Sequence, residues 1–435
     1  MPAAVSRLAR RLYAYAFLED LILLYPVYAL LFAEHGLSAA EISSLFVIWS
    51  CVTFVVEIPS GLWADLFSRR RLLALAPLVT GAGYALWTWL PSYPAFAAGF
   101  VLWGVGSSLR SGTLQALVYE ELGRRAATDS YARLLGRSQA MGTTATAAAT
   151  GLAGPVMHIG GYAAVGAASV AVCLLGALTG LGFPESRASG RASGSDRGPE
   201  PEPGSDRGPE PEPGSERGPE PEPGGGHEPG PGPEFGGGPG PEPEPGFVTV
   251  LRSGLGELRA SRRARDAVLL TSAVTGALMI DEYVPLLIRS MDVGASSVPL
   301  LMLLVTVGVT AGGWCAGRGA GRLGPALGVA ALALAAGAVS GPAGTVLLAL
   351  AFGIFQWAMV TCDALLQERV TDRARATVSS VAGFGAEVIS VLVCVAYGLG
   401  SQLWAHSTLF VLAAVPYLLI ALVLQWHPRA PRRRR

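Results

Sequence analysis

The chain has 435 residues, of which 51% are hydrophobic and only 15% charged, against roughly 25% charged in an ordinary soluble domain. That balance argues against a soluble globular protein and places the chain in a lipid bilayer. The formal net charge of zero hides a split: of 32 acidic and 32 basic residues, 13 acids and 4 arginines fall in residues 191–246. All the basic residues are arginine, so zero says nothing about partners.

A spanning helix needs about 20 mostly apolar residues, and twelve runs meet that length: 12–33, 40–66, 71–90, 95–118, 133–157, 161–183, 266–289, 296–317, 322–340, 343–366, 376–400 and 405–426. The opening MPAAVSRLARR leads into a run too long for a cleaved signal. The fifth run is small and weakly apolar, as expected of a helix packed between helices. With the N-terminus cytoplasmic, arginines cluster at the inner ends and loops, the outer loops hold none, and Arg110 and Arg289 lie within spans away from those ends. This is the positive-inside pattern, and an odd error in the helix count would scramble it. Trp87, Trp89, Tyr93 and Trp404 are expected as belt residues near outer ends, and Trp426 near an inner end.

Six runs precede a low-complexity segment and six follow it. SDRGPEPEPG at 195–204 recurs at 205–214 and, as SERGPEPEPG, at 215–224. Such decads cannot bury a core and read as a solvated, partly polyproline-like spacer; a docking arm is the alternative. The domains are therefore a first bundle at 1–186, a cytoplasmic Pro/Glu/Gly linker at 187–262, and a second bundle with a basic tail at 263–435. The halves echo one another, because ALVYE at 116–120 and ALLQE at 364–368 end the fourth and tenth runs.

Between the second and third runs stands EIPSGLWADLFSRRR, residues 57–71, with Gly61, Asp65 and Arg69 four residues apart and Arg70 following. On a helix such residues share a face, so Asp65 can pair with a cation on its own turn, while Gly61 lets a neighbouring helix approach. This stretch resembles the loop signature of the major facilitator superfamily of secondary transporters, with Ser68 where the family usually has glycine. The resemblance implies an all-α integral membrane protein of twelve transmembrane helices in two pseudo-symmetric six-helix bundles, rocking around a site near the bilayer midplane. Asp65 and Arg69 would close the cytoplasmic side. In the matching loop of the second half, GWCAGRGAGR, Gly317 stands where the acid would be.

Ionisable groups inside spans are costly and are functional candidates by default. The first run holds Glu19 and Asp20, the seventh Asp281 and Glu282, and neighbours on a helix point about 100° apart, so one acid of each pair is expected to face the pathway. Arg110 in the fourth run must pair, with Glu19, Asp20 or Glu57 as partners by helix order; in place it resembles a fourth-helix arginine linked to proton movement in family members. Asp363 and Glu387 are further cavity candidates. Gly151, Gly154 and Pro155 in the fifth run resemble the antiporter signature of the family's drug exporters, or form a packing face of small residues. His158 reads as a loop residue, and the five cysteines stand singly, without metal or redox spacing. No P-loop, metal cluster or Ser/His/Asp arrangement suggests an enzyme or an ATP-driven pump, and no cofactor or nucleic-acid partner is expected.

The expected function is proton-coupled export of a small, partly apolar compound by a monomeric, drug-exporter-like transporter in the cell membrane, with both termini cytoplasmic. An importer of a nutrient or anion on the same fold, or a non-transporting receptor or scaffold using the acidic linker, are the alternatives. Deletion of residues 191–246 separates the last of these: transport activity is expected to survive, whereas a scaffold would lose its partner.

Overall fold

Helix boundaries follow the apolar runs closely, with one systematic exception in the first and seventh. The computed structural model describes residues 3–125, 127–184, 256, 259, 261–316, 319–370 and 375–426, with backbone alone at 3–4, 57–66, 320 and 376. Apart from residues 256, 259, 261 and 262, the predicted linker lies outside the described residues, as do Gly317 and the basic tail.

Among the described residues the first half contains α1 (Ala3–Asp20), α2 (Tyr28–Glu34), α3 (Ala39–Leu66), α4 (Arg69–Trp89), α5 (Tyr93–Gly123) and α6 (Tyr131–Leu181). The second half contains α7 (Arg262–Ala277), a 3-10 segment at Leu278–Tyr283, α8 (Val284–Arg289), α9 (Val298–Trp314), α10 (Leu323–Val339), α11 (Thr345–Arg369), α12 (Arg375–Gly400) and α13 (His406–Trp426). Ser68, which replaces the family's usual glycine, is the N-cap of α4 and accepts a hydrogen bond from the Arg71 amide at 3.4 Å.

α6 is two spans joined at a reversal. Gly160 and Gly161 leave the helical region, Gly161 at φ 61° and ψ −160°, a conformation open essentially to glycine. Beyond it the chain runs back along α4: Gly166 packs on Thr88 near the end of that helix and Gly180 on Leu73 near its start. With α6 counted twice, and with α1–α2 and α7–α8 each counted as one interrupted crossing, the described residues make twelve crossings.

The interruptions differ from the continuous helices expected at 12–33 and 266–289. Residues 21–27 leave the helix before Pro26, which has no amide hydrogen to give, and residues 278–283 tighten into 3-10 turns just before Pro285. Within a bilayer such backbone survives only where protein satisfies it. The Leu24 amide accordingly donates to the Ser169 hydroxyl on α6 at 3.1 Å, and Ser390 on α12 donates to the Gly276 carbonyl at 3.3 Å.

Helices within each half approach closely through glycine. A Cβ added at Gly353 on α11 would lie 2.6 Å from the Gly308 carbonyl oxygen on α9, and one at Gly83 on α4 would lie 2.7 Å from the Gly99 carbonyl oxygen on α5. Trp87, expected in the belt, is instead fully buried and donates to the Phe96 carbonyl at 3.0 Å; the packed rings of Phe32 and Phe100 beside it leave it no route to the interface. Trp89, Trp404 and Trp426 are exposed. Since backbone atoms cannot yield as a flexible side chain can, Gly353→Ala is expected to part α9 from α11 and cost about 1–3 kcal/mol, read as a lower unfolding temperature in detergent. An unchanged midpoint would contradict this packing.

Candidate functional site

The interrupted helices place their acids at cavities within and between the halves, with the first pair split between two environments and the second lining one. Glu19, at the end of α1, forms an ion pair with the Arg110 Nε on α5. Asp20 turns towards α6 and sits over Gly142, where any side chain would collide with its carboxylate. In the second half, Glu282 accepts a hydrogen bond from the Tyr28 hydroxyl on α2, and Asp281 is exposed to an adjoining cavity that both acids line.

Two cavities share a wall. The smaller, about 40 Å3, lies within the first half and is lined by Glu19, Arg110, Tyr15, Pro77 and Cys173. The larger, about 420 Å3, lies between the halves and is lined by Asp281, Glu282, Trp49, Thr146, Thr150, Met302 and Phe352, among others. Tyr25 and Trp103 line both; their rings stack at 5.4 Å between centroids and 20° between planes. A volume of this size, mostly apolar with a few polar groups, suits a small organic ligand.

Around the larger cavity the halves are locked together. Tyr283 donates to the Ser43 hydroxyl on α3 at 2.8 Å and stacks on Tyr397 of α12 at 3.7 Å. Gly154 on α6 packs near the Ser296 carbonyl and Leu300, and Gly151 near Leu303, so this stretch of α6 rests on α9 of the other half. Pro155 lies within α6 on an exposed face.

Other predicted residues lie elsewhere. Asp363 on α11 is exposed and Glu387 on α12 half-buried, and neither is among the lining residues of these cavities. Gly61 and Asp65 are described in backbone alone, in the last part of α3, and the Asp65 side chain lies outside the described residues. Arg69 pairs with Glu120 of α5 at 2.6 Å, and Glu120 also faces Arg124 at 3.6 Å. Arg70 stands beside Arg69 in the first turn of α4. Sequence reasoning missed the aromatic wall, because nothing in the pattern separates Tyr25, Tyr28, Trp49 and Trp103 from ordinary core aromatics. The one available signal was Tyr-Pro-Val-Tyr at 25–28, a proline with flanking rings within an apolar run beside two acids.

Two six-helix halves meeting around a largely apolar cavity that holds two acids define the secondary-transporter fold. Residues 14–393 match the Major Facilitator Superfamily, and the chain belongs to it. No curated protein matches the chain. Among solved structures, the nucleoside transporter NupG is 12% identical with a TM-score of 0.66, covering 99% of this chain and 100% of its own. A D-xylose–proton symporter is 15% identical with a TM-score of 0.61, covering 96% of each chain. A bacterial homologue of the human lysosomal transporter Spinster is 16% identical with a TM-score of 0.63, covering 99% of this chain and 100% of its own. Likeness at this identity carries the fold.

The Glu19–Arg110 pair is partly screened, with side chains 23% and 35% exposed, which places it between surface and buried pairs. Glu19→Gln or Arg110→Met alone is expected to cost about 2–3 kcal/mol by stranding the other charge. The double variant should recover part of that loss in thermal unfolding; strictly additive losses would show that the two groups are not coupled.

Proposed function

We propose that the protein is a proton-coupled exporter of small, partly apolar compounds, of the drug-exporter type, acting as a monomer in the cell membrane with both termini cytoplasmic. One observation carries the reading: a cavity of ligand size between the halves holds two acids from an interrupted helix, and a second cavity holding Glu19 and Arg110 shares its Tyr25–Trp103 wall. Protonation of Glu19 weakens its hold on Arg110, and a change in that pair reaches the larger cavity through the shared rings. Asp20 is the companion proton acceptor on the α6 side. The halves rock to expose the cavity to each side in turn, and Asp65 with Arg69 and Arg70 closes the arginine-bearing side. Gly151 and Gly154 supply the α6 surface against α9, with Pro155 in the same turn.

The symporter among the structural neighbours favours the reverse direction, import of a small nutrient, as the second reading. Cells with and without the protein, exposed to a compound panel, separate the two. Export predicts lower accumulation of a subset of compounds in cells carrying the protein, with the difference abolished by a protonophore. Higher accumulation would establish import, and a difference indifferent to protonophore would remove proton coupling. With a compound so identified, Glu19→Gln is expected to weaken gradient-driven movement in vesicles more than exchange.

A further inference from the structure

The two cavities differ in how their carboxylates are balanced. In the smaller, Glu19 has its counter-charge in Arg110. In the larger, Asp281 and Glu282 stand side by side, and among its described lining residues there is no basic side chain. The Tyr28 hydroxyl occupies one oxygen of Glu282, while Asp281 remains exposed to the open volume. Two acids at this depth with no basic side chain among the described lining form a site whose charge a cation from outside the protein would balance.

The rest of the wall is suited to the same guest. Trp49 and Trp103 are half-buried with centroids 5.3 Å apart, Tyr25 stacks on Trp103 at 5.4 Å, and Tyr28 meets Trp103 nearly edge-on at 6.1 Å and 81°. All four of these aromatic residues line the cavity that the two carboxylates also line. An aromatic face attracts a cation within about 6 Å, most strongly where water is excluded. We infer that the larger cavity is a binding site for an organic cation with an apolar body, a protonated amine or quaternary ammonium, held between Asp281, Glu282 and the aromatic wall of Trp49, Trp103, Tyr25 and Tyr28. This names the substrate class of the exporter proposed above and rests on that reading for its transport consequence, though not for binding. An anion would face two carboxylates with no arginine to offset them, and a neutral ligand would bring them no counter-charge.

The test uses the full-length protein purified in detergent, with labelled tetraphenylphosphonium as the cation, its anionic isostere tetraphenylborate, and neutral triphenylphosphine oxide, each corrected for partition into empty micelles. Saturable cation binding is expected, with the neutral and anionic probes competing at least about tenfold more weakly. Asp281→Asn is expected to weaken cation binding about tenfold, and Trp103→Leu to weaken it while the neutral probe is little affected. Equal competition by the neutral probe, or cation affinity unchanged in a folded Asp281→Asn variant, overturns the inference; if that variant fails to fold, the charge series on the unaltered protein decides. In vesicles the two claims part: a cation bound but never moved by a pH gradient upholds the site and removes the exporter, whereas gradient-driven movement of a neutral compound without cation binding keeps the transporter and removes the cation.

Discussion

The hydrogen bond from the Tyr28 hydroxyl to Glu282 joins the two interrupted helices, and the rest of the architecture is arranged so that it can exist. A continuous helix satisfies its own backbone and offers lipid nothing polar; breaking it inside the hydrocarbon demands partners for every freed group. Each break finds a partner within the protein, Ser169 for the Leu24 amide on one side and Ser390 for the Gly276 carbonyl on the other. The interruptions therefore fall where the halves meet, because only there can a cavity hold acids away from lipid while packed side chains supply the missing hydrogen bonds. That they occupy corresponding places in the two halves follows from the internal repeat of the fold.

Repetition does not make the halves equal. The first half neutralises its central acid with its own arginine, and the second leaves two carboxylates facing a ligand-sized volume. This difference leaves an ion pair in one cavity and two carboxylates without a basic neighbour among the described lining of the other. The stacked Tyr25 and Trp103 rings belong to both cavities. At the arginine-bearing end, Glu120 holds Arg69 while also facing Arg124, tying the start of α4 to the end of α5. Residues flagged in the sequence as a repeat and as a loop motif turn out to be neighbours in one charge network.

Much of the fold was legible because a bilayer reduces it to one dimension: apolar length gives the spans, and arginine placement gives their ends. Even the reversal within α6 could be read from the small, Gly-rich letters around Gly160 and Gly161. The helix breaks were not legible, since Pro26 and Pro285 look the same in a run that bends and in one that stops. Acids inside spans identified Glu19, Asp20, Asp281 and Glu282 as candidates, but which partner each takes depends on helix rotation and packing that no periodicity specifies. The same reason hid the aromatic wall and misplaced Trp87, which lies near a span end in sequence yet is sealed by Phe32 and Phe100. Asp363 and Glu387 lie outside the lining of the two cavities described.

Distances between spin labels at the two ends of the interrupted helices test the central claim most directly, that the halves rock about a cavity latched by Tyr28 and Glu282. Labels at His35 and Ser290 report the end near the latch, and labels at Arg10 and Arg265 report the arginine-bearing end of the same helices. With Tyr28→Phe, the account predicts that the first pair moves apart while the second draws together. Both pairs unchanged, or both shifting in the same direction, would contradict it.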